Sequence, residues 1–160
     1  MSTIMISGGP DIQHESDDYL KGKGPLADGA VCVTSAGKLP CRILFHAVGP
    51  RWRKGDGGEQ QVLYDCVQNL LKRAQKENVS TIVIPAISSG IFGFPMNIST
   101  DTIVKSLQAF VKCEAHHYFT EIHFIDVKQD GIDSFTTSLD ATWPRAEEAN
   151  SSAHVIGMSN

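Results

Sequence analysis

An opening helix followed by the order strand, strand, helix, strand, helix, strand, helix predicts a layered α/β domain with a mostly parallel sheet. Three observations carry that prediction. Val62, Leu63, Cys66, Val67, Leu70, Leu71 and Ala74 recur at steps of three and four, the wide apolar face of a helix. Thr81 to Ile84 is a short β-branched run that breaks into small and glycine residues, with a second helical pattern beyond Pro95. The chain has 160 residues, enough for one domain with a sizeable core.

The elements follow from local chemistry. Gly8-Gly9-Pro10 reads as a helix start, with proline in the first turn where its missing N–H costs nothing. Ile12, Tyr19 and Leu20 share a face of that helix, which should end in Lys21-Gly22-Lys23-Gly24-Pro25. Ala30 to Thr34 alternates like a strand, and Arg42 to Val48 reads as a second, more buried one. The two are close enough in sequence to pair as an antiparallel hairpin. A polar loop from Gly49 to Gly58 precedes the strong helix, for which Asn78 is a stop signal. The helix from about Pro95 to Cys113 turns Ile103, Val104, Leu107, Phe110 and Val111 to the core. Glu121 to Val127 is a further strand, and Gly131 to about Leu139 a terminal helix closed by Pro144. The stretch from Arg145 to Asn160 is small and polar and reads as linker or disorder.

Composition narrows the function. A net charge of −4 excludes the basic face of a duplex nucleic-acid binder. An acidic chain can still hold a phosphate ligand when backbone amides supply the donors. The four cysteines, Cys32, Cys41, Cys66 and Cys113, form no C-x-x-C pair and read as reduced and intracellular. No secretory signal is expected from Met1 to Ser7, and no apolar run is long enough to span a bilayer.

The candidate site is the turn after the Thr81 strand. Ser88-Ser89-Gly90-Ile91-Phe92-Gly93 joins strand to helix, where two glycines admit a close ligand and a helix start offers unpaired N–H groups. The same residues also read as an ordinary α/β turn. The segment lacks the first glycine of a nucleophile elbow, the lysine of a Walker loop and the third glycine of a dinucleotide fingerprint. Cys113, His116, His117 and His123 match no common zinc spacing, so no metal is expected. His46, inside an apolar strand, reads as a satisfied core histidine, and Trp52 as a lid packed on the core rather than a stacking platform. Asp126 ends a strand on the ligand side, where orienting a ligand and capping a turn are equal readings.

Four strings in consistent order, from Gly8 to Leu139, resemble the macro domain. They are Gly8-Gly9-Pro10-Asp11-Ile12-Gln13, Val33-Thr34-Ser35-Ala36-Gly37-Lys38-Leu39-Pro40-Cys41, His46-Ala47-Val48-Gly49-Pro50-Arg51-Trp52 and Pro85 through Pro95. The nearest likeness is to macro domains of the large interferon-linked ADP-ribosyltransferases. The resemblance implies a three-layer α/β/α fold with a mixed sheet that binds ADP-ribose, free or on mono- or poly-ADP-ribosylated proteins. It implies that Ser88, Ser89, Gly90, Ile91, Phe92 and Gly93 wrap the diphosphate and proximal ribose, with Phe92 beside the ribose. No catalytic residue, cofactor, duplex nucleic acid or membrane partner is implied, and the expected location is nucleus and cytoplasm.

The family normally carries several strands, an adenine-binding Asp, an Asn-Ala-Ala-Asn-type segment and a Gly-rich second phosphate loop before the Gly-Gly-Pro helix. None of these is present. The expected organisation is a non-family start at 1–7, a truncated macro domain at 8–143 lacking its first strands, and a polar tail at 144–160. Weak binding is expected, with an exposed apolar sheet edge. The alternatives are an ADP-ribosyl hydrolase, whose usual catalytic residues fall largely in the absent segment, and a fragment that binds nothing.

Overall fold

The computed structural model describes residues 7–21, 24–113, 119–144 and 153–157. Helix α1 (Pro10–Leu20) starts with Pro10 as expected and buries Ile12 completely. Its Glu15 carboxylate accepts the Ser35 N–H at 2.7 Å and the Ser35 hydroxyl, fastening the helix to the end of β1 (Val31–Ser35). β1 pairs antiparallel with β2 (Ile43–Ala47), Val33 lying opposite Phe45, which is the predicted hairpin.

Helix α2 (Glu59–Lys76) buries Leu63, Cys66, Val67, Leu70, Leu71 and Ala74, the face drawn from periodicity. Its last turn meets the start of β2, where the Arg42 guanidinium donates to the Glu77 carbonyl at 2.6 Å. The chain then enters β3 (Thr81–Pro85), α3 (Met96–Cys113), β4 (Glu121–Asp126) and α4 (Gln129–Thr142). β3 and β4 run parallel, with Ile84 opposite Phe124. Alternation sends Ile82, Ile84, Ile122 and Phe124 to the helix side, against Leu71, Ile103 and Val104. The Phe124 and Phe135 rings stack at 4.7 Å, joining β4 to α4. Each such fully buried side chain contributes about 1.5–3 kcal/mol, so this helix-facing layer is the folding core.

Four details differ from the sequence reading. Among the described residues the strands form two units, an antiparallel β1-β2 pair and a parallel β3-β4-β5 sheet, rather than one mostly parallel sheet. β2 is half-buried along its whole length while β1 buries Cys32 and Thr34, so the first strand, not the second, lies deeper. Helix α4 begins at Gln129, two residues ahead of Gly131. The stretch read as a polar tail contains β5 (Ala153–Gly157), parallel to β4 with Phe124 opposite Val155. The polar average of 145–160 conceals His154-Val155-Ile156, a run suited to an extended chain, and β4 offers it a free edge. Residues 1–6, 22–23, 145–152 and 158–160, on which the start, helix-end and tail readings partly fall, lie outside the described residues.

β3 is paired on one side with β4. Among the described residues its second edge has no partner strand, and Val83 beside it is 51% exposed.

Candidate functional site

The turn between β3 and α3 is held by its own backbone. Ser89 N–H donates to Ala86 O at 3.2 Å, Gly93 N–H to Gly90 O at 2.9 Å, and Phe94 N–H to Ser88 O at 3.0 Å. The Ser89 hydroxyl adds a second bond to Ala86 O at 2.7 Å, and Ser99 on α3 donates to Ile87 O at 2.7 Å. The consecutive N–H groups of Gly90, Ile91 and Phe92 find no acceptor among the described residues. Three successive free amides on a fixed turn form a nest suited to an anion.

Gly90 adds to this. A Cβ built on it would meet nothing within 4 Å, and its φ is not in the left-handed region, so the fold itself does not demand glycine there. The space above that backbone is open. Ser88, by contrast, is held at φ 67°, a conformation that costs a non-glycine residue about 1–3 kcal/mol. Its hydroxyl is buried with no hydrogen-bond partner.

The loop after β2 braces the turn. Trp52 N–H donates to the Phe92 carbonyl at 2.9 Å, and its indole lies 4.6 Å from the ring of Phe94, which is 2% exposed. Trp52 is thus the packed lid expected from the sequence. Gly49 approaches so closely that an added Cβ would stand 2.1 Å from Ser88 Oγ and 2.7 Å from Ile87 Cγ2. The bracing loop is itself shaped by Glu59, which is 5% exposed and accepts Arg53 N–H at 2.6 Å and Gly57 N–H at 2.9 Å. Its own backbone N–H, then those of Gly57 and Arg53, hold this carboxyl below its ordinary value against the opposing effect of burial.

The other candidates sort differently. Ser88, Ser89, Gly90, Ile91, Phe92 and Gly93 are together on the turn, with Ile91 fully in solvent. Asp126, at the end of β4, caps the turn into α4: its Oδ1 accepts Lys128 N–H at 2.8 Å. A Cβ on Gly131 would sit 2.3 Å from its carboxyl carbon, so this glycine makes room for that turn. His46 bonds Thr34 across the hairpin at 2.8 Å, and burial lowers its pKa; it is satisfied as expected, but half-buried rather than in the core. His116 and His117 lie outside the described residues, and no three described His, Cys, Asp or Glu side chains gather to hold a metal. None of the four cysteines is in a disulfide.

Sequence reasoning missed Gly49, Glu59 and the cleft behind the helices. That cleft, about 700 Å³, is lined by Gln60, Asn97, Asp101, Asp130, Ser134 and Thr137 and includes none of the turn residues. Its two aspartates make it a poor host for an anion. The signal for Glu59 was present, since an acid directly after a Gly-rich loop is placed to collect that loop's N–H groups.

Comparison with known proteins agrees with this geometry. The family model described as Macro domain matches residues 2–103. The human protein mono-ADP-ribosyltransferase PARP14 is 36% identical over 140 residues, which is 86% of this chain and 8% of that protein. The O-acetyl-ADP-ribose deacetylase of Escherichia fergusonii is 34% identical over 122 residues, 76% of this chain and 68% of that protein. The chain thus spans only part of the curated relatives it matches. Among solved structures, the Oceanobacillus iheyensis macrodomain mutant G37V with ADPR superposes with a TM-score of 0.80 at 22% identity, covering 88% of this chain and 75% of that one. Matching strings, strand–turn–helix geometry and family model coincide on one conclusion: the chain belongs to the macro domain family.

Proposed function

We propose that the chain is an ADP-ribose-binding module that recognises ADP-ribose and ADP-ribosylated proteins. The observation that carries the reading is the row of N–H groups on Gly90, Ile91 and Phe92 that have no acceptor among the described residues, with open space at the Cβ position of Gly90. A diphosphate is a dianion with many acceptor oxygens, and a rigid amide nest satisfies it without lysine. This resolves how a chain of net charge −4 can take such a ligand. Solved macrodomains of the same fold carry ADPR or ADP, which supports the choice of ligand.

A binding role is favoured over hydrolysis by the composition of the turn. Pro85 to Pro95 holds no acid, base or thiol, and the Ser89 hydroxyl is committed to Ala86 O. The deacetylase relative keeps hydrolysis as the competing reading.

Calorimetry with ADP-ribose tests the proposal, comparing the chain with Gly90→Glu. Glutamate has room in the fold but places a carboxylate where the diphosphate is to lie. Saturable binding by the parent chain, abolished in the variant at unchanged melting temperature, is expected. No heat at millimolar ligand, or equal affinity in the variant, would overturn it. Release of labelled ADP-ribose from a modified protein would establish the hydrolase instead.

A further inference from the structure

The guanidinium of Arg51 lies 5.6 Å from the centroid of the Phe92 ring. Phe92 contributes one of the three unpaired amides, so the cation stands one side chain away from the nest. Its position is not accidental slack. The neighbouring residue Trp52 is fixed to the turn through Phe92 O and Phe94, and Gly49 is wedged against Ser88 and Ile87. Arg51 is therefore carried on a loop docked to the candidate site at three points. The side chain is exposed, and among the described residues it has no carboxylate within ion-pair distance. Glu59, the buried acid of the same loop, is already engaged by Arg53 and Gly57 N–H.

We propose that Arg51 is a specificity-determining residue of the amide nest, holding the negative charge of a nucleoside diphosphate sugar from the ring face of Phe92. The chemistry follows from the arrangement. Amides orient a diphosphate but carry no net charge, so on their own they discriminate weakly between a dianion and a neutral polar group. A guanidinium supplies the missing monopole and bonds phosphate oxygens through a planar fork. Stacking on Phe92 holds the fork in place without spending its N–H donors, because cation–π attraction uses the ring face. An arginine bound to a carboxylate would be neutralised before any ligand arrived; among the described residues this one meets none. The proposal rests on the reading that the turn holds the diphosphate.

The test measures ADP-ribose affinity at low and high salt for the parent chain, Arg51→Gln and Arg51→Lys. An exposed charge-assisted contact of this kind predicts about a threefold to tenfold loss in Arg51→Gln at low salt. That gap should shrink at high salt, since screening weakens the contact in the parent alone. Arg51→Lys should retain the salt dependence with intermediate affinity. All three should melt together, because the side chain is exposed. If the Gln variant matches the parent in affinity and salt response, the role of Arg51 is refuted while the diphosphate reading stands. A loss that does not change with salt also refutes it, since that outcome identifies a brace for the Phe92 ring. If the parent takes up no ADP-ribose, the diphosphate reading falls and this inference with it.

Discussion

Replacing Gly49 with alanine is the sharpest probe of how the nest is held. The added methyl would begin 2.1 Å from Ser88 Oγ and 2.7 Å from Ile87 Cγ2, whereas ordinary contact starts at 3.4 Å. The bracing loop and the turn must therefore separate by about 1.3 Å, the difference between those two distances. Overpacking of this size costs about 1–3 kcal/mol, and each kcal/mol lowers the melting temperature of a domain this long by about 2–4 °C. The displaced amides would lose alignment with a bound diphosphate. A charged hydrogen bond is worth about 1.5–3 kcal/mol, so affinity should fall tenfold or more, tenfold being about 1.4 kcal/mol. Thermal melts and ADP-ribose calorimetry read the two effects separately. The second variant, Gly49→Ala with Ser88→Ala, removes the atom that the methyl strikes first. Because that hydroxyl has no partner, its loss is cheap, and the double variant should regain part of the affinity, the 2.7 Å approach to Ile87 Cγ2 remaining. Lowered stability with unchanged affinity, or no recovery in the double variant, would refute the idea that this loop seats the nest.

Two further outcomes follow from buried groups. Burial, with the Asp28 charge as a lesser cause, pushes the Cys66 thiol up to about 11, and Cys32 is also buried, so a thiol reagent at mildly alkaline pH should modify Cys41 and Cys113 in the folded chain and reach the other two only after unfolding. Modification of Cys66 at the rate of Cys41 would show that α2 opens readily. Glu59 has a carboxyl held below its ordinary 4.5, so its contribution to stability is present above that value and is lost as pH falls through the lower folded value. Melting curves across acid pH should show this loss in the parent chain and a weaker pH response in Glu59→Gln.

The elements with strong periodicity were legible because a single physical rule decides them. α2 shows its buried face through seven apolar positions at helical spacing, six of them buried and Val62 at the margin, and β3 through a β-branched run whose alternation survives in the structure as exposed Val83 between buried Ile82 and Ile84. The turn was legible as a glycine-containing break between two regular elements. What escaped was decided by neighbours distant in sequence. Gly49 is ordinary until Ser88 is folded against it, nearly forty positions on. Asp126 read equally as a ligand-orienting group and as a turn cap, and only the folded helix start, with Lys128 N–H on its carboxylate and Gly131 pressed against it, shows the cap. β5 was hidden because its pairing depends on an edge of β4 that only the folded sheet presents. The division into two strand units likewise depends on which edges meet, a matter composition does not encode.

Among the described residues no strand covers the second margin of β3, and this has a practical consequence for handling the protein. A strand edge left open beside a half-bare valine will accept whichever extended backbone reaches it first. In a concentrated sample that backbone belongs to another molecule of the same kind, so self-association should rise with concentration. A lysine in place of Val83 would place charge along that border and keep the molecules apart without touching the nest, which lies beyond the strand's far end.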